Sequence, residues 1–235
     1  MSDWRLIEGD CLDVLRDMPD ASVDALITDP PFGIGFQYGD QREDTNDPRS
    51  YWDWLRPRYE EAVRCVHPGG LVAVWQAQLY FRHFWDWFGD DIHIYCAGKN
   101  FVQLRKVPIN YGYDPIVMFY KVGALPLCPT KGQGGSFRNV DFFVANTAAA
   151  VCDPRRLERA HPCPRPLDQA REIVRNFTQP GSRVLDPFVG SGTTGVAALQ
   201  EGRSFVGIER EAEYVAIARA RLEAASARPR LDLAI

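Results

Sequence analysis

The sequence predicts an open α/β sheet with helices on both faces. Short strand-like runs alternate with helical ones along most of the chain. Several of the strand-like runs, "LVAVWQ" at 71–76 above all, are apolar without interruption, as strands covered on both sides must be. Carboxylates stand at the ends of four such runs, Asp10, Asp29, Asp186 and Glu209, and open sheets of this kind bind ligands outside the carboxyl ends of their strands.

Taken in order, "WRLIEGD" and "VDALITDP" read as strands, joined by "CLDVLRDMP", in which Leu12, Val14 and Leu15 form one side of a short helix. "SYWDWLRPRYEEAVRCV" is helical, with Pro57 expected to start a turn or kink it. "HPGG" punctuates before the strand "LVAVWQ"; "LYFRHFWDWFG" follows as a helix, and "IHIYCAG" and "PIVMFYK" as strands. From Val122 to about Arg165 periodicity dissolves, leaving a candidate insert at about 122–160 within one domain that spans 1–235. Regularity returns with a helix at 166–178, whose stripe is Leu167, Ala170, Ile173, Val174 and Phe177. Strand "SRVLD", a glycine-rich turn, helix "TTGVAALQEG", strand "RSFVGIE" and helix "EAEYVAIARARLEAA" complete the regular part, and a loosely held tail is expected after it.

The 235 residues suit one well-buried domain, and 46% hydrophobic with 25% charged residues is ordinary for a soluble protein. No apolar run approaches the roughly 20 residues that span a bilayer, and the N-terminal stretch lacks a basic region followed by an apolar core, so a cytosolic location and no membrane partner are expected. Six cysteines without a C-x-x-C pair, and four histidines without an H-x-x-x-H pattern, indicate neither disulfides nor a metal site. The net charge of −4 is unevenly spread: between Lys99 and Arg138 stand six cations against Asp114 alone, while residues 1–50 are acidic. A basic face there is able to meet phosphates despite the acidic total.

"VLDPFVGSGTTG" carries Gly190-x-Gly192-x-x-Gly195 between a strand and a helix, with Glu209 ending the next strand. That is the arrangement of a nucleoside-binding βαβ unit, in which glycines let the backbone approach the ligand and the acid accepts from ribose hydroxyls. A dinucleotide dehydrogenase is the first alternative, but Asp186 precedes the glycines and sets a carboxylate where a pyrophosphate would come. A cationic ligand suits the loop better. The P-loop pattern is lacking.

"TDPPFGIGF" at 28–36 follows an apolar strand. Two successive prolines end the strand and hold the backbone extended, which fixes Asp29 and Phe32. Together with "HPCPRPLDQ", "VLDPFVGSGTTG" and "FVGIE", and with "IEGDC", "HPGGLVAVW" and "DPIVMFYK", the segment makes the chain resemble the beta-class DNA amino-methyltransferases that use S-adenosylmethionine. The resemblance covers most of the chain except about 122–160 and the tail. It implies a Rossmann-like, mixed and mainly parallel sheet with a reversed hairpin at one edge, the class I methyltransferase fold in permuted motif order. It further implies that Asp186, Phe188, Gly190, Gly192 and Thr193 line the cofactor, that Glu209 holds its ribose, and that Asp10 lies near its adenine. Arg165, standing where the family pattern has lysine, is counted with the same cofactor residues.

The resemblance assigns the chemistry to Asp29, Pro30, Pro31 and Phe32. The amine of adenine or cytosine is a poor nucleophile, since its lone pair is delocalised into the ring. With the Asp29 carboxylate and the Pro30 carbonyl each accepting one N–H, the nitrogen pyramidalises and aims its lone pair at the methyl. The prolines lock these acceptors, and Phe32 stacks on a base that has left double-stranded DNA. Taken singly, D-P-P-F is a strand-ending turn with Phe32 in the core. An aspartate at its first position implies adenine N6, cytosine N4 being the alternative. A non-catalytic DNA-binding partner subunit on this fold, free to lose these residues, and an enzyme acting on RNA or a protein glutamine are the other readings. The short insert predicts a short recognition sequence or help from a second subunit, such as a homodimer.

Overall fold

The computed structural model describes residues 3–32, 47–99, 112–122, 142–145 and 165–227. The elements run β1 (Trp4–Glu8), α1 (Cys11–Arg16), β2 (Val23–Thr28), α2 (Pro48–Cys65), β3 (Val66–Trp75), α3 (Phe81–Phe88), β4 (His93–Lys99), β5 (Tyr113–Tyr120), β6 (Phe142–Ala145), α4 (Leu167–Phe177), β7 (Arg183–Asp186), α5 (Thr193–Gln200), β8 (Ser204–Glu209) and α6 (Ala212–Ser226). Among the described residues they form one sheet in the order β1-β8-β7-β2-β3-β5-β4-β6. β5 runs antiparallel to both its neighbours, and all other pairs are parallel. The expected open α/β sheet is therefore present, with β5 of the β4–β5 pair alone running against the other described strands.

Strand alternation sorts the core into two layers. Ala25, Ile27, Leu71, Ala73 and Trp75 pack with α4, α5 and α6, whereas Leu26, Val72 and Val74 pack with α1, α2 and α3. The connections from β2 and from β7 leave in opposite directions, through α2 to β3 on one side and through α5 to β8 on the other. The seam between β2 and β7 is thus the topological switch point, where a crevice opens beyond the strand ends. Thr28 and Asp29 lie at the end of one strand, Asp186 at the end of the other.

Three expectations are corrected. "HPGG" does not precede the third strand but lies inside it: pairing with β2 jumps from Val23↔Val66 to Ala25↔Leu71, so the extra residues bulge out. Gly70 is needed there, because a Cβ would meet the Asp24 carbonyl oxygen at 2.6 Å. Pro57 does not start a turn. α2 begins at Pro48, with Asp47 accepting from the amides of Arg49 (3.4 Å) and Ser50 (3.2 Å), and runs through Pro57 because buried Tyr51, Trp52, Leu55, Arg58, Tyr59 and Ala62 anchor both sides of it. Finally, the aperiodic region contributes β6, which pairs with β4 outside the hairpin, where Phe143 meets Tyr95 with ring centroids 5.4 Å apart.

The basic stretch is partly spent internally. The Lys99 ammonium sits 2.7 Å from Asp114, and that of Lys121 donates to the carbonyls of Arg64 (3.1 Å) and Val66 (2.6 Å). Arg105, Lys106, Lys131 and Arg138 lie outside the described residues, as do Gly33, Gly35, most of the 37–50 loop, the remainder of the insert and the tail from 228. Among the described residues no helix is long and apolar enough to cross a membrane, and no cluster of His, Cys, Asp and Glu is arranged to hold a metal ion.

Candidate active site at the switch point

Thr28, fully buried at the end of β2, donates its hydroxyl to Asp186 across the seam at 2.7 Å. Asp186 is 2% exposed and also accepts from the Phe188 amide at 3.0 Å. Burial pushes its carboxyl up to about 6; hydrogen bonds from Thr28, Phe188 and Thr194 oppose that, and the nearby Asp29 charge adds to it. With no cation against it among the described residues, this buried carboxylate is suited to a positive group.

The D-P-P-F segment is held from below. The Pro31 carbonyl accepts from the Tyr51 hydroxyl, which accepts from Gln76 Nε2 at 3.1 Å, while Gln76 Oε1 accepts from the Ala77 amide at 2.8 Å. Pro30 is buried, and Phe32 is half-buried against the core layer of α4–α6. Phe32 thus packs partly into the core and stays partly exposed.

Asp29 meets Arg165 in a fork, Nε to Oδ2 at 2.8 Å and Nη2 to Oδ1 at 2.7 Å. Arg165 Nη1 lies 3.0 Å from Asp114 Oδ2, which also accepts from Gln169 Nε2 at 3.1 Å. The guanidinium carbon stands 5.6 Å from the centre of the Phe32 ring and 5.5 Å from that of Trp75. Burial raises the pKa of Asp29, and Arg165 offsets only part of the rise. Burial also opposes ionisation of Asp114, but Arg165 and Lys99 outweigh it and hold that carboxyl below the ordinary range. The side chain of Arg165, counted from sequence among the cofactor residues, is seated on Asp29.

The glycine loop adopts backbone that side chains disfavour. Gly190 has φ +51° and Gly192 φ +84°, and a Cβ on Gly192 would come within 3.1 Å of Ala218. Glu209 fastens the loop: its Oε2 accepts from the Gly190 amide at 2.7 Å, and its Oε1 from the amides of Arg210 and Glu211, each at 3.0 Å. Burial nonetheless keeps the Glu209 carboxyl above its usual range. Thr193, the first residue of α5, is buried with its hydroxyl 3.4 Å from Arg221 Nη1. The Phe188 and Trp54 rings lie 6.0 Å apart, Arg58 lies over Trp54 at 4.4 Å, and Arg58 Nη2 binds Asp10 Oδ2 at 2.9 Å. Asp10 also caps α1 by accepting from the Leu12 amide at 2.8 Å; burial raises its pKa, but Arg58 and that amide bring it below normal.

The fold therefore gathers Asp29 and Asp186 at the switch point, links Glu209 to the glycine loop, and joins Phe188 to Asp10 through Trp54 and Arg58. Sequence reasoning missed Thr28, Tyr51, Arg58, Gln76 and Asp114. Asp114 alone left a signal, as the single acid in a basic stretch.

Comparison with known proteins extends this geometry. YubD of Escherichia coli (strain K12), named as a methylase, is 29% identical over 224 residues, which cover 94% of this chain and 90% of YubD. The PvuII DNA methyltransferase, described as cytosine-N4-specific, matches in fold with a TM-score of 0.72 at 21% identity, over 94% of this chain and 86% of that one. M1.HpyAVI, solved as a complex with SAM, matches with a TM-score of 0.66 at 23% identity, over 93% of this chain and 100% of that one. A family model described as DNA methylase, for the N6/N4 methyltransferases, matches residues 23–220. Since that match takes in the D-P-P-F segment, the switch point and the glycine loop alike, the chain belongs to the N6/N4 family of DNA methylases.

Proposed function

We propose that the chain transfers the methyl group of S-adenosylmethionine to the exocyclic N6 of an adenine flipped out of double-stranded DNA. The observation that carries this reading is the pairing of two acids across one seam. Asp186 is a buried carboxylate suited to a cation, and Asp29, just past the end of the neighbouring strand, is suited to an amine.

The residues present fit the cofactor. Asp186 offers a negative charge for its ammonium end, Gly190 and Gly192 offer bare backbone, and Glu209 and Asp10 offer acceptors for its ribose and adenine, with Phe188 and Thr193 beside them. When bound it supplies an electrophilic methyl on a positive sulfur. Three amides occupy Glu209, so of its roughly four acceptor sites one remains without rearrangement.

On the target side, Asp29 and the Pro30 carbonyl accept the two N–H groups of the amine. Acceptance favours a pyramidal nitrogen and stabilises the positive charge that grows on it, a preorganised effect worth roughly 3–4 kcal/mol. Tyr51 occupies the Pro31 carbonyl, which fixes the peptide that follows the acceptor at Pro30. The part of Phe32 left exposed serves as the stacking surface for the base.

Adenine is preferred because the family resemblance associates aspartate, here Asp29, with adenine N6 and serine mostly with cytosine N4. Cytosine N4 is the second reading, favoured by the fold match to an enzyme described as cytosine-N4-specific. The test is to express the protein in cells lacking DNA methylation, digest their DNA to nucleosides and separate these by mass spectrometry. N6-methyladenine is expected. N4-methylcytosine as the sole product would refute the adenine assignment, and methyl groups found only in RNA or protein would refute the substrate class.

A further inference from the structure

Asp114 and the whole guanidinium of Arg165 are left over by the chemistry above, yet they form the most connected polar cluster beside Asp29. We propose that Asp114 and Arg165 are positioning residues that clamp one edge of the Asp29 carboxylate and leave its other edge for the target amine. The inference rests on the methyl-transfer reading of Asp29.

The geometry is specific. Nε and Nη2 of Arg165 reach one oxygen each, the parallel fork that fixes a carboxylate in plane and in rotation. A carboxylate has roughly four acceptor positions, and this fork uses two of them. The remaining amino group of the fork, Nη1, is tied to Asp114, and Asp114 is itself tied to Lys99 and Gln169. Arg165 thus cannot turn without breaking its contact with Asp114 on β5, a residue that Lys99 of β4 and Gln169 of α4 hold in place. A lysine at 165 would supply the charge but no fork.

Among the described residues, the charged and titratable groups facing Asp29 are Arg165 just before α4, Asp114 on β5, Asp186 on β7 and Tyr59 on α2. Removing the Arg165 cation leaves burial and two carboxylates unopposed, so Asp29 takes up its proton at higher pH. Removing the Asp114 charge acts in the opposite sense. Charge and anchoring therefore make different predictions for the same variant, which separates them.

The experiment uses the full chain with Arg165→Lys, Arg165→Gln and Asp114→Asn. Transfer of tritiated methyl to chromosomal DNA from a methylation-free bacterium is followed against pH, and S-adenosylmethionine affinity is followed by calorimetry. All three variants should lose maximal rate by roughly ten- to a hundred-fold, with cofactor affinity held within about two-fold, as expected when an acceptor is misoriented. The acid limb of the rate profile should move to higher pH in Arg165→Gln, stay in Arg165→Lys, and not rise in Asp114→Asn. Wild-type rates in Arg165→Lys and Asp114→Asn would overturn the clamp, and so would a loss confined to cofactor affinity. Carbon-13 NMR titration of the Asp29 carboxyl gives a reading independent of activity. If the wild type methylates no DNA, the proposed function fails, while an Asp29 titration unchanged between wild type and Arg165→Gln would by itself refute the clamp.

Discussion

Asp186→Asn should make the free protein more stable at neutral pH while removing its affinity for S-adenosylmethionine. Asp186 has a carboxyl raised from an ordinary 3.8 to about 6 and is 2% exposed. At about 1.4 kcal/mol per pH unit, holding it ionised at pH 7.5 costs the folded state about 3 kcal/mol. The sign follows from proton counting: the folded state binds more protons than the unfolded one between about pH 4 and about pH 6, so stability falls as pH rises through that window. An asparagine carries no such cost. Its oxygen still accepts from the Thr28 hydroxyl and the Phe188 amide, and its amino group can donate to the Thr194 hydroxyl. Urea unfolding at pH 7.5 should therefore favour the variant, by at most that amount, and the advantage should shrink as pH is lowered from 6 to 4. Added S-adenosylmethionine should raise the midpoint of the wild type and not of the variant. A variant less stable than wild type at pH 7.5, or a difference that ignores pH, would refute the account of Asp186 as a strained, cation-seeking carboxylate.

Asp29→Ala should abolish methyl transfer and leave the calorimetric affinity for S-adenosylmethionine unchanged, because its partner Arg165 keeps Asp114; retained transfer would contradict its role. Glu209→Ala should weaken cofactor binding by about 1.5–3 kcal/mol and also lower the urea midpoint, since the amides of Gly190, Arg210 and Glu211 lose their acceptor. Gly192→Ala should destabilise the protein by about 1–2 kcal/mol in the same assay, through its φ of +84° and its contact with Ala218. Tyr51→Phe should cost about 1 kcal/mol of stability and slow transfer without changing cofactor affinity, because it frees the Pro31 carbonyl.

The sequence disclosed what depends on local pattern. Alternating apolar runs marked β1, β2, β3, β7 and β8, and the glycines of "GSGTTG" marked a turn that only left-handed backbone can make. What it hid is set by neighbours distant in the chain. β6 is four residues long and owes its place to pairing with Cys96–Lys99, so no period within it announces a strand. "HPGG" reads as a break, and lies within β3 because Val66 and Leu71 on either side of it pair with β2 while Gly69 and Gly70 pair with Lys121. Lys99 and Lys121 look like surface charge until Asp114 and two carbonyls are found beside them. In the site, Asp29, Asp186 and Glu209 were legible as acids ending strands, whereas Thr28, Gln76 and Asp114 matter through partners that sequence distance conceals.

The pairing of β1 with β8 has a consequence for the order of assembly. β1 is the first strand described, and β8, its strand partner, enters about 200 residues later (Trp4↔Phe205 through Glu8↔Glu209). At a synthesis rate of about 5–20 residues per second, β1 waits on the order of 10–40 s with its hydrogen-bonding edge open. Its arrival beside β8 also brings the Gly9 amide onto the Glu209 carbonyl at 3.0 Å, so Asp10 and Glu209 become neighbours only when the last strand zips. The nascent chain can thus complete the D-P-P-F half of the crevice while the nucleoside half still lacks a wall. Any ligand that needs both acids distinguishes a finished chain from an unfinished one.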